Sequence, residues 1–290
     1  MPVSRRGGKG MKGRQMRWVV GALLVLGFAP SALAADLDIL RGAEPVGPPS
    51  YTNWSGFYFG GQGAYVDGGA NFAQATGPLI SYLLRNTTVE QDFNISGWQV
   101  LGKSASTTTG IGGFAGYNSQ WANLILGVEA NYTNAKWSGS SSDTLARHMD
   151  ASGTTYNVAV TGTSSIDLKD YASLRARAGY IMGNFLPYGF VGFVVGRADI
   201  TKSATVAETE VSDSTGLVTG CLGSPPACSL TNSDNRTNQI IYGYSAGLGM
   251  DWALTQNIFL RGEYEYIQFT GLGGLDLYLN NVRVGGGFKF

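Results

Sequence analysis

Chemistry in this 290-residue chain would have to come from very few side chains. His148 is the sole histidine, and it stands near Asp143, Arg147 and Asp150. A histidine so placed could activate a nucleophile, but the surrounding pattern is that of a Ser/Thr/Gly-rich loop and holds none against it. Gly110, Gly112 and Ala115 spell G-x-G-x-x-A. That pattern binds dinucleotides only where it joins a strand to a helix, and no helical period follows it here. Cys221 and Cys228 enclose the pair Pro225 and Pro226. In an exported chain, a close pair around a Pro-Pro turn reads as a local disulfide pinning a loop. A redox pair would be spaced C-x-x-C, and the region offers too few ligands for a metal. The chain is therefore expected to be no enzyme and to carry no cofactor or metal.

The remaining chemistry is charge. Glu129, Arg175, Arg177, Arg197, Asp251, Arg261, Glu263, Glu265 and Arg283 recur in stretches of alternating polar and apolar residues, although the stretch that bears Arg197 has an ambiguous parity over 191–195. The stretch 167–182 is the most informative. Ala172, Leu174, Ala176, Ala178 and Tyr180 share one parity, and Ser173, Arg175, Arg177 and Gly179 share the other, which is the period of a strand with two unlike faces. An arginine facing lipid at the bilayer midplane costs roughly 2 to 4 kcal/mol, so the arginines must face inward and the apolar parity must face lipid.

The elements that position these charges repeat the pattern. Strands are expected at 54–67, 109–117, 124–137, 167–182, 186–201 and 239–253. A seventh carries Leu260, Tyr264 and Tyr266 opposite Arg261, Glu263 and Glu265, and the last ends the chain. Long polar connections at 68–108, 138–165 and 202–237 alternate with short turns, as in membrane barrels. Tyr156, Val158 and Val160 alternate within the second of them and could extend a strand beyond the membrane. The expected fold is all-β: an eight-stranded antiparallel up-and-down transmembrane β-barrel with long extracellular loops. A ten-stranded version drawing a hairpin from a long connection is the alternative. Trp54, Tyr180, Tyr242, Trp252, Tyr264 and Tyr266 are expected to form interfacial girdles.

Residues 1–34 read as a signal peptide. A basic lead from Arg5 to Arg17 precedes an apolar run at 18–28 and the small-residue stop at Ala34; the run is shorter than the roughly 20 residues that a spanning helix needs. A periplasmic lead-in linker at 35–53 and the barrel at 54–290 follow. Losing the six basic residues of the leader leaves 14 Lys and Arg against 20 Asp and Glu, so no basic face remains for nucleic acid.

The final residues place Val282, Val284, Phe288 and Phe290 on one parity. Arg283, Gly285, Phe288 and the terminal Phe290 resemble the signal by which the barrel-assembly machinery recognises its clients. With that ending and the stretches 54–65, 112–132, 173–198 and 282–290, the chain resembles the small porin-like outer-membrane β-barrels of alphaproteobacteria. These include surface immunogens and haemin-binding barrels and share their architecture with the OmpA transmembrane domain. The resemblance implies an outer-membrane location, lipid and lipopolysaccharide as surroundings and, in some members, a haem or host-surface ligand. An eight-stranded barrel is just wide enough for side chains to fill. The expected protein is thus a monomer with a structural and surface-interaction role, its lumen plugged by ion pairs. A small-solute porin and a loop-based receptor for haem or a host ligand remain as other readings.

Overall fold

The computed structural model describes residues 52–290, so the expected signal peptide and nearly all of the lead-in linker lie outside the described residues. Nine strands are present among the described residues: β1 (Gly56–Asn71), β2 (Lys103–Trp121), β3 (Leu124–Ala151), β4 (Thr154–Tyr180), β5 (Phe185–Ser212), β6 (Val218–Cys221), β7 (Ser229–Ala253), β8 (Ile258–Thr270) and β9 (Asp276–Lys289). Every pairing is antiparallel. Eight strands close a ring in the order β1-β2-β3-β4-β5-β7-β8-β9, with β9 returning to β1, while β6 pairs only with β5 outside it. Closure leaves no strand edge in the ring to be satisfied by water.

The alternation drives the closure. Phe57, Phe59, Leu126, Val128, Leu174, Val191, Leu248, Leu260, Val282 and Val284 are exposed on the outer wall, while their neighbours in sequence turn inward. Aromatic residues mark the short-turn end of this wall: Phe57 packs against Tyr117, and Phe185 stacks on Trp252. Of the expected girdle, Trp54 departs. It is 2% exposed, packs inside against Phe259 and lies under the Lys289 ammonium, because it precedes the first ring strand and folds across the barrel's end.

The strands run further than the apolar pattern suggests. β3 and β5 have 28 residues each, β4 has 27 and β7 has 25, whereas a tilted strand crosses a bilayer in about 9–11. The connections expected as loops at 138–165 and 202–237 are therefore largely paired strand, and the first of them narrows to a turn at Ser152 and Gly153. Register shifts sit between Asn134 and Trp137, between Leu168 and Asp170, and between Ala198 and Ile200. Each adds or drops a residue and so turns the strand. In β4 the inward parity changes there from odd (Ser173, Tyr171) to even (Leu168, Ile166). Beyond this level the outer face bears Ser140, Ser142, Thr144, Thr161, Thr163 and Thr205, with hydroxyl pairs such as Thr144 with Thr161 and Thr205 with Thr231, each at 2.8 Å. The apolar outer band thus ends near the bulges, and a sheet with a hydroxylated outer face continues above them.

The first long connection, expected as a polar stretch, contains helix. Helix α1 (Gly77–Leu83) carries Pro78 in its first turn, and α2 (Thr88–Phe93) is capped by the Thr87 hydroxyl, which accepts from the Glu90 amide at 3.4 Å. Asn94 ends α2 in the left-handed region (φ 48°), a conformation that asparagine tolerates. Ile80, Leu84, Val89, Ile95 and Trp98 from this segment pack on Val158, Val160, Ala204 and Val206 from the inner face of the raised sheet. The loop end of the barrel thus has a core of its own.

Lipid-facing and water-facing arginine should behave oppositely. Leu174→Arg or Leu248→Arg, at positions 66% and 69% exposed on the apolar wall, should abolish insertion as judged by heat-modifiable gel mobility; Ser140→Arg, outward on β3 but above the bulge, should insert normally.

Candidate functional site

The chemistry is concentrated inside the ring, where Glu129, Arg175, Arg177, Asp251, Arg261, Glu263, Glu265 and Arg283 are all buried. Register brings them to one level. Glu129 of β3 lies opposite Arg175 of β4, Asp251 of β7 opposite Arg261 of β8, and Glu263 of β8 opposite Arg283 of β9. The Glu129 carboxylate pairs with Arg175 through one oxygen and accepts through the other from Arg261 Nη1 (2.7 Å), Arg177 Nη1 (3.3 Å) and the Tyr58 hydroxyl (2.8 Å). Asp251 is gripped by Arg261 Nε (2.8 Å) and Arg177 Nη2 (2.8 Å). Glu263 accepts from Tyr188 (2.6 Å) and Arg175 Nη1 (3.2 Å), while Glu265 pairs with Arg283 and accepts from Asn281 Nδ2 at 3.3 Å.

Four arginines meet four carboxylates, so the interior set is neutral. The guanidinium planes also lie on aromatic faces: Arg177 over Tyr188 (3.8 Å), Arg261 over Phe114 (4.0 Å) and Arg175 over Phe190 (4.3 Å). Such stacking suits arginine, whose planar cation is weakly hydrated. Room for these groups comes from inward glycines. A Cβ on Gly192 would stand 2.8 Å from Arg175 Cγ, and one on Gly249 would collide with the Tyr188 ring.

Arg197, expected with the interior set, is on the outer wall. Its side chain is 58% exposed and it forks onto Asp170, which also accepts from Tyr132 at 3.0 Å. The cause is parity: Val194, Gly196 and Ala198 face inward on β5, and the apolar run at 191–195 conceals which parity that is. Removing Arg197 from the set turns a nominal excess of positive charge into balance. The interior partners absent from the sequence reading are aromatic. Tyr58 and Tyr188 complete the carboxylate shells, and the even parity of Tyr58, shared with Gln62 and Ala64, is the signal that would have found it.

Apolar layers flank the network. Toward the turn end lie Ile125, Ile181, Leu186, Ala253 and Phe259; toward the loop end lie Val66, Phe72, Trp137, Ile166, Leu168, Ile241 and Leu277.

The other candidates separate from this site. His148 lies on β3 opposite Asn157, not in a loop, with its Nδ1 against the Asn157 side-chain oxygen. Gly112 sits in β2, where a Cβ would collide with the Tyr132 carbonyl of β3, so close strand approach accounts for that glycine. Cys221 and Cys228 form the expected disulfide, their Cα atoms 5.2 Å apart, between β6 and the start of β7. In the terminal strand Arg283 points into the network, Gly285 passes against the Gly61 carbonyl, and Phe288 and Phe290 are exposed at the turn end, stacked edge-on at 5.2 Å.

A closed antiparallel ring with an apolar exterior and a polar, paired interior defines a transmembrane β-barrel. The family model for the outer membrane protein beta-barrel domain matches residues 20–290, and the chain belongs to that family. Among curated relatives, the 31 kDa outer-membrane immunogenic protein of Brucella melitensis is 28% identical over 95% of this chain and 100% of its own length. The 25 kDa outer-membrane immunogenic protein of Brucella ovis is 26% identical over 94% and 96%, and a 22 kDa outer membrane protein of Rhizobium leguminosarum is 27% identical over 85% and 82%. Solved structures similar to this chain include Neisserial surface protein A (15% identity, TM-score 0.36, covering 81% of this chain and 98% of that one). Another is Ail of Yersinia pestis (13% identity, TM-score 0.32, covering 81% and 99%). The protein is an outer-membrane protein; its turn end faces the periplasm and its raised sheet the exterior, as the family's short and long connections require.

Removing one partner of the network leaves buried charge unpaired, which costs about 3–5 kcal/mol. Glu129→Gln should lower the urea unfolding midpoint of the folded barrel correspondingly, whereas Lys169→Ala, at the solvent-accessible pair with Asp199 (side chains 39% and 32% exposed), should leave the midpoint within error of wild type.

Proposed function

We propose that this protein is a structural and surface-interaction barrel of the outer membrane whose lumen is held closed to solutes. One observation carries the reading: a neutral network of ion pairs occupies the centre of the ring between two apolar layers. Ion passage would require breaking several of these pairs together in a low-dielectric interior, where an unpaired charge is costly. The interaction half of the reading rests on the exterior. A loop with its own helices and core, packed on a raised sheet, presents a defined surface, and the Brucella relatives carry the word immunogenic in their names.

In this reading the barrel acts as a monomer, surrounded by outer-membrane lipid and lipopolysaccharide. The barrel-assembly machinery recognises its last strand through Arg283, Gly285, Phe288 and Phe290. The exterior surface would meet a host or envelope partner. Haem is not part of the proposal, since His148 is engaged with Asn157 on the outer sheet. Planar-bilayer recording of the refolded barrel is the test. Folded protein should give no steady channel openings; regular single-channel steps would replace the closed-barrel reading with that of a small-solute porin, and the ion pairs would then act as its filter.

A further inference from the structure

The exterior mouth of the barrel holds a cleft that the ion network does not use. It lies between α1, the raised parts of β5 and β7, and the turn from β8 to β9, and its volume is about 440 Å³, within the range of roughly 300–1,000 Å³ of small-molecule sites. Two kinds of wall meet in it. Ile200, Lys202 and Ile241 face the inside of the barrel, whereas Ile240 and Tyr242 are exposed on the outer wall. They share one cavity because β8 stops at Thr270, paired with Tyr242, while β7 continues upward without it. Above that point the wall is open sideways, at the level where the bilayer ends.

The polar end of the cleft is cationic. Lys202 is only 8% exposed, and its Nζ donates to the carbonyls of Leu272 (3.1 Å) and Gly273 (2.6 Å). An ammonium carries three donors, so two carbonyls leave one to spare, and neither carbonyl neutralises the charge. Arg236 engages Asp234 through Nε at 3.0 Å, leaving the paired terminal nitrogens of the fork to reach a further oxyanion. Lys202, Arg236 and Asp234 together leave one net positive charge on the lining. The rest of the wall is mostly apolar, with Ala75, Pro78, Leu79 and Leu272 facing the isoleucines.

A cationic pocket that opens sideways onto a lipid-facing wall suits one ligand chemistry. We propose that the cleft binds an oxyanion head carried on an acyl chain: the head is held by Lys202 and Arg236, and the chain runs out over Ile240 and Tyr242. The head could come from a free long-chain carboxylate or from a lipid A phosphate of the surrounding leaflet. The inference stands apart from the closed-lumen reading, since the cleft lies above the network and binding there leaves conductance untouched.

The test uses the full barrel purified from outer membranes in amphipol, titrated calorimetrically with laurate, dodecanol and inorganic phosphate, with mass spectrometry of co-purified lipid. The proposal expects a charge-dependent amphiphile site. Laurate should bind at one site at least tenfold more tightly than dodecanol or phosphate, and Arg236→Gln should weaken it about tenfold, the scale of one charged hydrogen bond. Lys202→Met should weaken it further, and heat-modifiable mobility verifies that both variants fold. If the leaflet supplies the head, lipid A instead travels with the wild type and is shed by Arg236→Gln. Laurate binding no tighter than dodecanol with no lipid A retained, or wild-type laurate affinity and lipid content in folded Arg236→Gln, overturns the proposal.

Discussion

An ionised side chain inside a ring of eight strands has lipid outside the wall and little water within it, so it must find its counter-charge among the other inward side chains. That constraint shapes the whole interior. Lone arginines on the inward face of β4 would be untenable; Arg175 and Arg177 are tolerable because Glu129 stands across on β3, Asp251 on β7 and Glu263 on β8. Each carboxylate is shared by at least two cations or phenols, so the pairs form one network rather than independent bridges. Its stability is collective, because losing any member strands the rest. Closure of the ring is a precondition: the pairing of β9 with β1 brings Arg283 and Glu263 round to face Glu129.

Filling the ring is the second demand. A small barrel leaves no room for a large side chain at every inward position, and large inward residues lie beside small ones on neighbouring strands. Tyr188 lies over Gly249, and Arg175 over Gly192. The abundant inward glycines are therefore the spaces into which guanidinium groups and aromatic rings fit. Above and below the charged level the same ring is filled by aliphatic and aromatic side chains, which keep water from the ion pairs and strengthen them.

How much of this the sequence discloses depends on where one face is lipid and the other is not. In β4 the outward Ala172, Leu174 and Ala176 against Ser173, Arg175 and Arg177 leave one choice, and the ring's membrane-spanning part is legible from such contrasts. Where both faces are apolar the contrast fails. The run at 191–195 hides the parity of β5, and Arg197 consequently reads as interior although it forks onto Asp170 on the outer wall. The buried partners Tyr58 and Tyr188 are missed for a related reason, since an aromatic in a barrel strand reads as lipid-facing unless its parity is followed. Beyond the apolar band the signal shrinks to short runs such as Tyr156, Val158 and Val160, because serine and threonine on the outer face alternate only weakly with the small and apolar residues opposite them. The bulge at Leu168 and Asp170 then reverses the parity, so a continuous 27-residue strand resembles a strand followed by a loop.

The bulges sit where the outer face changes character. Below them the outer face must be apolar and the inner face may be charged; above them the outer face is hydroxylated and the inner face is the apolar one, packed against the helices of the first connection. β3 and β5 make the change in residue type alone, keeping odd and even residues, respectively, inward along their length. One extra residue in β4 and another in β7 shift the phase of the pattern at the membrane boundary. β8 ends at Thr270, paired with Tyr242, while β7 continues, and the wall is open beside Lys202. A half with an apolar outer face and a half with a hydroxylated one thus share strands that run without interruption through both.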